Sequence, residues 1–277
     1  MTATQRVKPA LNPEKFATEI RRLVLLESRR AGVGHIGSSL SIADMIGLLY
    51  SSVLNISEPG DPERDRFILS KGHAVLAVYA ALHLKGFITR DELGTFCNDG
   101  TSLCGHPEIG VPGIDFATGS LGMGLSFGVG CAVAARKTNS SRKTFVLVSD
   151  AELNEGSLWE SVLFAGHHKL SNLVVLVDQN GQQALGYTKD VMDTSSVENK
   201  FKAFNWDVHV VDGHDCTQMR DTIDKLDFQS GAPHVLVCRT TFGKGVSFMH
   251  NKIEWHYLPM TEEQYEQAMT EINSSDA

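Results

Sequence analysis

Two apolar runs, each leading to an oxygen-bearing side chain, constrain this chain more than any other feature. Thr144-Phe-Val-Leu-Val-Ser149 leads into Asp150, and Leu173-Val-Val-Leu-Val-Asp178 leads to Asn180. Between them, Gly156 to Leu170 carries Leu158, Val162, Ala165 and Leu170 at helical spacing. Strand, helix, strand in that order predicts a βαβ unit whose two strands are parallel neighbours. Neighbouring strands lie about 4.8 Å apart, so Asp150 and Asn180 can share one hard cation. The carboxyl ends of strands are also where open α/β sheets bind ligands. One carboxylate and one amide oxygen leave a coordination shell unfinished. That suits Mg²⁺, which keeps water and takes phosphate oxygens as its remaining ligands.

The chain has 277 residues, 42% of them hydrophobic, enough for a substantial core. No break in composition divides it, so a single domain over residues 1–277 is expected. A net charge of −8 and a pI near 5.7 argue against nucleic acid or an anionic membrane as partner. The cysteines (Cys97, Cys104, Cys131, Cys216, Cys238) are scattered and odd in number, with neither metal-ligand spacing nor a disulfide framework. A cytoplasmic setting is expected on that ground. No signal-peptide core and no run of membrane-spanning length is visible.

Residues 1–11 read as a flexible arm. Asn12 caps a helix with Pro13 at its first position and an apolar stripe of Phe16, Ile20, Leu23 and Val24. Ser41 with Asp44 is expected to open a second helix running through Leu54, and Thr89 with Glu92 to box a third. Residues 98–128, rich in Gly, Pro and small polar groups, read as a long ordered loop entering a helix near Leu125–Arg136. Further strands are expected at Trp206–Val211 and His234–Cys238, with a helix starting near Cys216 between them. Thr261 with Gln264 caps a terminal helix, and the Ser/Asp-containing tail beyond it shows no linker to another domain. Strand–helix alternation predicts an α/β fold, a mostly parallel sheet with helices on both faces.

Four histidines sit in Gly-rich or Pro-flanked turns: His35 (Gly34-His-Ile-Gly37), His73 (Lys71-Gly-His), His106 (Gly105-His-Pro107) and His256 (Trp255-His). Any one alone reads as a structural histidine. Four in loops point to a site, because loops on a rigid sheet carry function and glycine lets backbone approach a ligand. No pair has the spacing of a zinc site. Thr118-Gly-Ser-Leu-Gly-Met-Gly-Leu-Ser126 could cradle phosphate with backbone N–H groups. Its G-x-x-G-x-G order is neither a dinucleotide fingerprint nor a Walker loop.

The segments SDAELNEG and WESVLFAGHHKLSNLVVLVDQNGQ resemble the thiamine diphosphate motif of the transketolase family, an acidic residue after a strand and an Asn about thirty positions later. GHIGSSLS, DRFILSKGHA, GHPE, TGSLGMGLS, VDGHD and RTTFGKGVSFM with WH beyond it agree in order, and the resemblance runs from about Phe16 to His256. It is closest to the separate N-terminal subunit of split transketolases. The resemblance implies thiamine diphosphate and Mg²⁺ as cofactors. Asp150 and Asn180 would hold the metal by side chains and Gln182 by its backbone carbonyl, with two diphosphate oxygens and a water completing the octahedron. His73 would contact the diphosphate or the thiazolium face, and Gly119, Ser120 and Leu121 would line the cofactor pocket beside Ala151. His35, His106 and His256 would surround the substrate carbonyl and hydroxyls as hydrogen-bond donors and proton carriers. Glu155 would join a carboxylate network across a dimer. Arg239, where the family often has Lys, would meet the diphosphate, with Lys244 as the alternative cation.

The family's usual Gly-Asp-Gly is Ser149-Asp150-Ala151 here. A positive φ at Ala151 would cost about 1 kcal/mol or more, whereas a negative φ leaves the backbone N–H groups available. Leu185 stands where an acidic residue is common. The resemblance further implies that the pyrimidine-binding domain, with the glutamate that activates the cofactor, lies on a separate C-terminal subunit. The chain alone would then be inert, and the working unit a two-plus-two heterotetramer transferring a two-carbon ketol unit from a ketose or ketose phosphate to an aldose. Competing readings are a deoxyxylulose-phosphate-synthase-like or specialised carboligase chain, a non-catalytic degenerate scaffold, and a plain nucleotide-binding Rossmann protein, the last opposed by the missing fingerprint.

Overall fold

A computed structural model describes residues 12–229 and 231–274; the expected arm at 1–11 lies outside the described residues. In chain order the regular elements are α1 (Pro13–Ala31), α2 (Ile36–Ser41), α3 (Ala43–Leu48), β1 (Arg66–Leu69), α4 (Val75–Leu84), α5 (Arg90–Leu93) and α6 (Met123–Lys137). Then follow β2 (Thr144–Ser149), α7 (Gly156–His167), β3 (Leu173–Gln179), a short hairpin of β4 (Gln182–Gln183) and β5 (Gly186–Tyr187), α8 (Thr188–Val191) and α9 (Val197–Ala203). The last elements are β6 (Asp207–Asp212), α10 (Cys216–Asp224), β7 (His234–Arg239) and α11 (Glu262–Ser274).

The main sheet has the order β1-β2-β3-β7-β6 with every pairing parallel. Side chains alternate across it and divide the core in two. Phe67, Leu69, Phe145, Leu147, Val174, Leu176, Leu236 and Cys238 pack with α1, α3, α4, α10 and α11 on one face. Ile68, Val146, Val148, Val175, Val177, Val235 and Val237 pack with α6, α7 and α9 on the other. The central strands are therefore buried on both sides and read as unbroken apolar runs. The register sets Ser149 opposite Asp178, so the two polar residues that end these runs are neighbours.

The caps follow from sequence. Asn12 accepts from the Lys15 amide with Pro13 at the first position, Thr89 and Glu92 close a capping box, and Thr261 and Gln264 bond reciprocally. The expected Ser41-to-Leu54 helix is a correction. Helix α2 begins earlier, at Ile36, breaks at Ile42, and resumes as α3 followed by a π turn over Leu49–Val53. Neither Ser41 nor Asp44 acts as a cap, because each has a buried ionic partner elsewhere. The Ser41 hydroxyl donates to Asp178 (2.8 Å), and Asp44 takes a bidentate pair from Arg21 and a bond from His214. Smaller shifts are the start of α6 at Met123 and of β6 at Asp207, and the end of α7 at His167, beyond which Leu170 still reaches the core.

Candidate active site

The carboxyl ends of β1, β2, β3 and β7 converge on one mouth. Asp150 follows β2 and is 3% exposed. Its Oδ1 accepts from the Ala151 amide (2.9 Å) and its Oδ2 from the Gly181 amide (2.6 Å). Burial first, and the neighbouring Asp178 carboxylate second, push its pKa up to about 7. Asn180 lies one residue from Gly181, its Oδ1 accepting from the Gln182 amide and its Nδ2 donating to Asp178 (both 2.9 Å). Asp150 and Asn180 are thus brought together across Gly181. Gln182 is 3% exposed, and both polar atoms of its carboxamide are buried with no hydrogen-bond partner among the described residues. Ser149 and Ala151 both have negative φ, and Ala151 opens a 3-10 turn to Asn154, so replacement of the two glycines strains nothing.

Two buried residues here were not singled out from sequence. Asp178, fully buried, accepts from Lys71 Nζ (2.5 Å), Ser41 Oγ (2.8 Å), Thr240 Oγ1 (2.5 Å) and Asn180. Burial alone would raise its pKa; Lys71 and the hydroxyl donors outweigh that and hold it below the usual carboxylate range. A carboxylate inside an apolar strand was the available signal, since burying it demands a cation. Glu152, also fully buried, accepts from the Gly122 amide (2.7 Å), the Ser149 amide (3.2 Å) and the Ser70 hydroxyl. It ties the glycine segment to the ends of β1 and β2. The approach is close: a Cβ on Gly72 would sit 2.6 Å from the Thr118 carbonyl oxygen, and Gly122 has φ 86°. Gly119 and Ser120 are left exposed at the mouth, with Leu121 half-buried.

Three of the four histidines touch one another. The His35 and His73 rings are 5.2 Å apart and those of His73 and His256 6.5 Å. His35 caps α2 in a left-handed conformation and its amide donates to the His256 carbonyl (3.3 Å). Ser38 Oγ lies 2.9 Å from His73 Nε2. Phe242 stacks on His256 at 4.3 Å, and His256 Nδ1 is buried with no hydrogen-bond partner among the described residues. Burial, then Lys71, depress His73 well below its ordinary value and bring His256 to about 4. His35 is exposed at the surface, and its partial burial, then His106, lower its pKa in the same direction. His106 is exposed beside Gly119, close enough to act electrostatically on His35.

The other expected residues are more peripheral. Glu155 is exposed at the start of α7, against Gly122. Arg239 ends β7, lies 3.8 Å from Glu198 and lines, with Asp150, Asn180, Gly181 and residues 193–195, a cleft of about 360 Å³. Lys244 does not line that cleft; its carbonyl accepts from Arg21 Nε (3.3 Å). Leu185 is 83% exposed at the tip of the β4–β5 hairpin.

A parallel sheet whose mouth gathers buried oxygen donors and neutral imidazoles defines the class, and comparison with known proteins makes it specific. Residues 13–274 match the family described as transketolase, thiamine diphosphate binding domain. The chain belongs to the transketolase family and is one subunit of a transketolase-type transferase. It is 42% identical over 246 residues to an apulose-4-phosphate transketolase subunit of Phocaeicola vulgatus, covering 88% of each chain. It is 38% identical to a 6-deoxy-6-sulfo-D-fructose transketolase subunit of a Clostridium species, covering 94% of this chain and 96% of that one. The Leishmania mexicana transketolase structure superimposes with a TM-score of 0.89 at 31% identity over 95% of this chain. That of Campylobacter jejuni gives 0.88 at 29% over 94%. The chain spans only 41% and 42% of those two, against most of the length of the named subunits. Among the described residues no helix is long and apolar enough to cross a membrane.

Proposed function

We propose that this chain is the diphosphate-binding half of a two-chain transketolase, one unit over residues 1–277, and that it holds thiamine diphosphate through Mg²⁺ on Asp150, Asn180 and Gln182. The observation that carries the reading is the meeting of Asp150 and Asn180 across Gly181, with Asn180 joined through Asp178 to Lys71, the cation that acts on His73 and His256. The residues fit the cofactor. A carboxylate, an amide oxygen and a nearby backbone carbonyl are the hard donors Mg²⁺ prefers. The unpartnered Gln182 carboxamide and His256 Nδ1 are buried polar atoms that a polar ligand would satisfy. Arg239, which lines the cleft with Asp150 and Asn180, would meet the diphosphate, and Gly119, Ser120, Leu121 and Ala151 would line the cofactor pocket. Thiamine diphosphate, when bound, supplies the carbon nucleophile that carries a two-carbon unit.

The chain's own residues orient substrate and move protons around that nucleophile. Burial and Lys71 favour the neutral form of His73 and His256, and partial burial with His106 shifts the more exposed His35 the same way, so each can donate from one nitrogen and accept at the other. His106, at the open side, meets the sugar hydroxyls as they enter. Glu155 faces outward, where a second copy or the partner can reach it. The substrate is a ketose, with relatives named for a sugar phosphate and a sulfonated sugar pointing to one bearing an anionic far end. Relatives that are themselves named as transketolase subunits support a C-terminal partner chain with the pyrimidine-binding domain, assembled as a heterotetramer. The free cysteines support a cytoplasmic setting.

Calorimetric titration of thiamine diphosphate with Mg²⁺ tests the reading, using the chain alone and mixed with its C-terminal partner. The expected result is Mg²⁺-dependent binding that tightens in the mixture and disappears in Asp150→Ala. Absence of binding in the mixture would overturn it.

A further inference from the structure

The amino end of the sheet's edge carries a second cluster of metal-ligating side chains, well away from the mouth just described. Asp207 opens the edge strand β6 and His209 follows two positions later, on the same face. His234 opens β7 and is paired in register with Asp207. Asp207 Oδ2 lies 2.9 Å from His209 Nε2 and 3.0 Å from His234 Nδ1. One ligand atom from each residue falls within 4.8 Å of the other two. His234 is fully buried, and its other nitrogen has no partner among the described residues, so the cluster is that ring's polar attachment. His209 and Asp207 are 31% and 43% exposed in their side chains, which leaves one side of the cluster open to water. The length of β7, from His234 to Arg239, separates the cluster from the mouth by roughly 16 Å.

We propose that Asp207, His209 and His234 form a binding site for one Zn²⁺ ion, with water in the fourth position. Two imidazoles and one carboxylate are a ligand set zinc uses, at about 2.0–2.2 Å from the metal. Ligands at those distances in a tetrahedron stand roughly 3.3 Å apart, so the cluster needs only small side-chain rotations. Two ligands come from adjacent positions of paired strands, so the backbone ladder preorganises them. Binding places each ring's proton on the nitrogen facing away from the ion. The ion joins the exposed edge strand β6 to β7, a role that does not depend on the cofactor chemistry.

Co²⁺ serves as the spectroscopic probe, with Zn²⁺ as competitor and with Mg²⁺ and thiamine diphosphate in excess to occupy the other cation site. The expected result is one equivalent of Co²⁺ with the intense visible bands of low coordination number, displaced by one equivalent of Zn²⁺. His209→Ala and Asp207→Asn should each weaken binding by on the order of 100-fold. One equivalent of Zn²⁺ should raise the Tm of the wild type and not of His209→Ala. A His167→Ala/His168→Ala variant, which removes two exposed neighbouring histidines, should bind as the wild type does. Binding unchanged in both cluster variants, a weak six-coordinate spectrum, or no stoichiometric binding would each overturn the proposal.

Discussion

Lys71 is 1% exposed, and its ammonium lies 2.5 Å from the carboxylate of the fully buried Asp178. Three further donors complete that carboxylate, so the pair is well compensated where it stands. Removing one partner is a different matter, because it strands a buried charge. Lys71→Met is expected to cost about 3 kcal/mol at neutral pH. Urea denaturation would measure it, and Lys71→Met/Asp178→Asn should recover much of the loss. A single-variant cost below about 1 kcal/mol would show that Asp178 accepts a proton without penalty. The same substitution removes the charge that acts most strongly on His73 and His256, so both imidazoles should titrate at higher pH in the variant.

Among elements, the turn after β2 determines whether the departure from Gly-Asp-Gly matters. Ala151 sits at negative φ in a 3-10 turn, and Ser149 Oγ accepts from the Glu152 amide (3.2 Å). Glycine at 151 therefore gains no needed freedom and loosens the unfolded chain. Ala151→Gly should lower stability by about 0.5–1 kcal/mol and leave thiamine diphosphate affinity within two-fold. A tenfold gain in affinity, read by the same calorimetry, would contradict this. The β2–α7–β3 unit and the position of Asp150 and Asn180 were legible in sequence because hydrophobic periodicity and register are local properties. The Ser41–Leu54 segment was not. Arg21, Asp44 and His214 meet from α1, α3 and the loop before α10, and His214 Nε2 accepts from the Thr241 amide (2.8 Å). Burial would raise the Asp44 carboxyl, but Arg21 and His214 bring it down to about 2. Partners some 170 and 23 residues away override a capping pattern that spans four. The pairing of Asp178 with Lys71 and the bridging role of Glu152 were hidden for the same reason, since they exist only once β1, β2, β3 and the glycine segment are side by side.

For the whole molecule, the histidine cluster couples the site to acid stability. His256 is held near pKa 4, against 6.5 when exposed, by burial and then by Lys71 and His35. Between those values the unfolded chain binds a proton that the native chain refuses. The stabilising contribution is complete above about pH 6.5 and is lost as pH falls toward 4. Asp150 works the other way, because its raised pKa of about 7 lets the native state hold a proton that the unfolded state releases. A raw stability profile mixes the two, so the informative quantity is the difference between the wild type and His256→Asn, both in chelator. That difference is expected to fall by about 2 kcal/mol from pH 6.5 to pH 4, less than the full shift would give because water reaches the neighbouring His35. A flat difference would mean that His256 protonates freely in the native state, and the imidazole could not then serve as a neutral donor and acceptor at the mouth. The price of keeping three imidazoles uncharged in one pocket is thus a native state sensitive to mild acid, and the same packing that causes the sensitivity brings them within reach of one ligand.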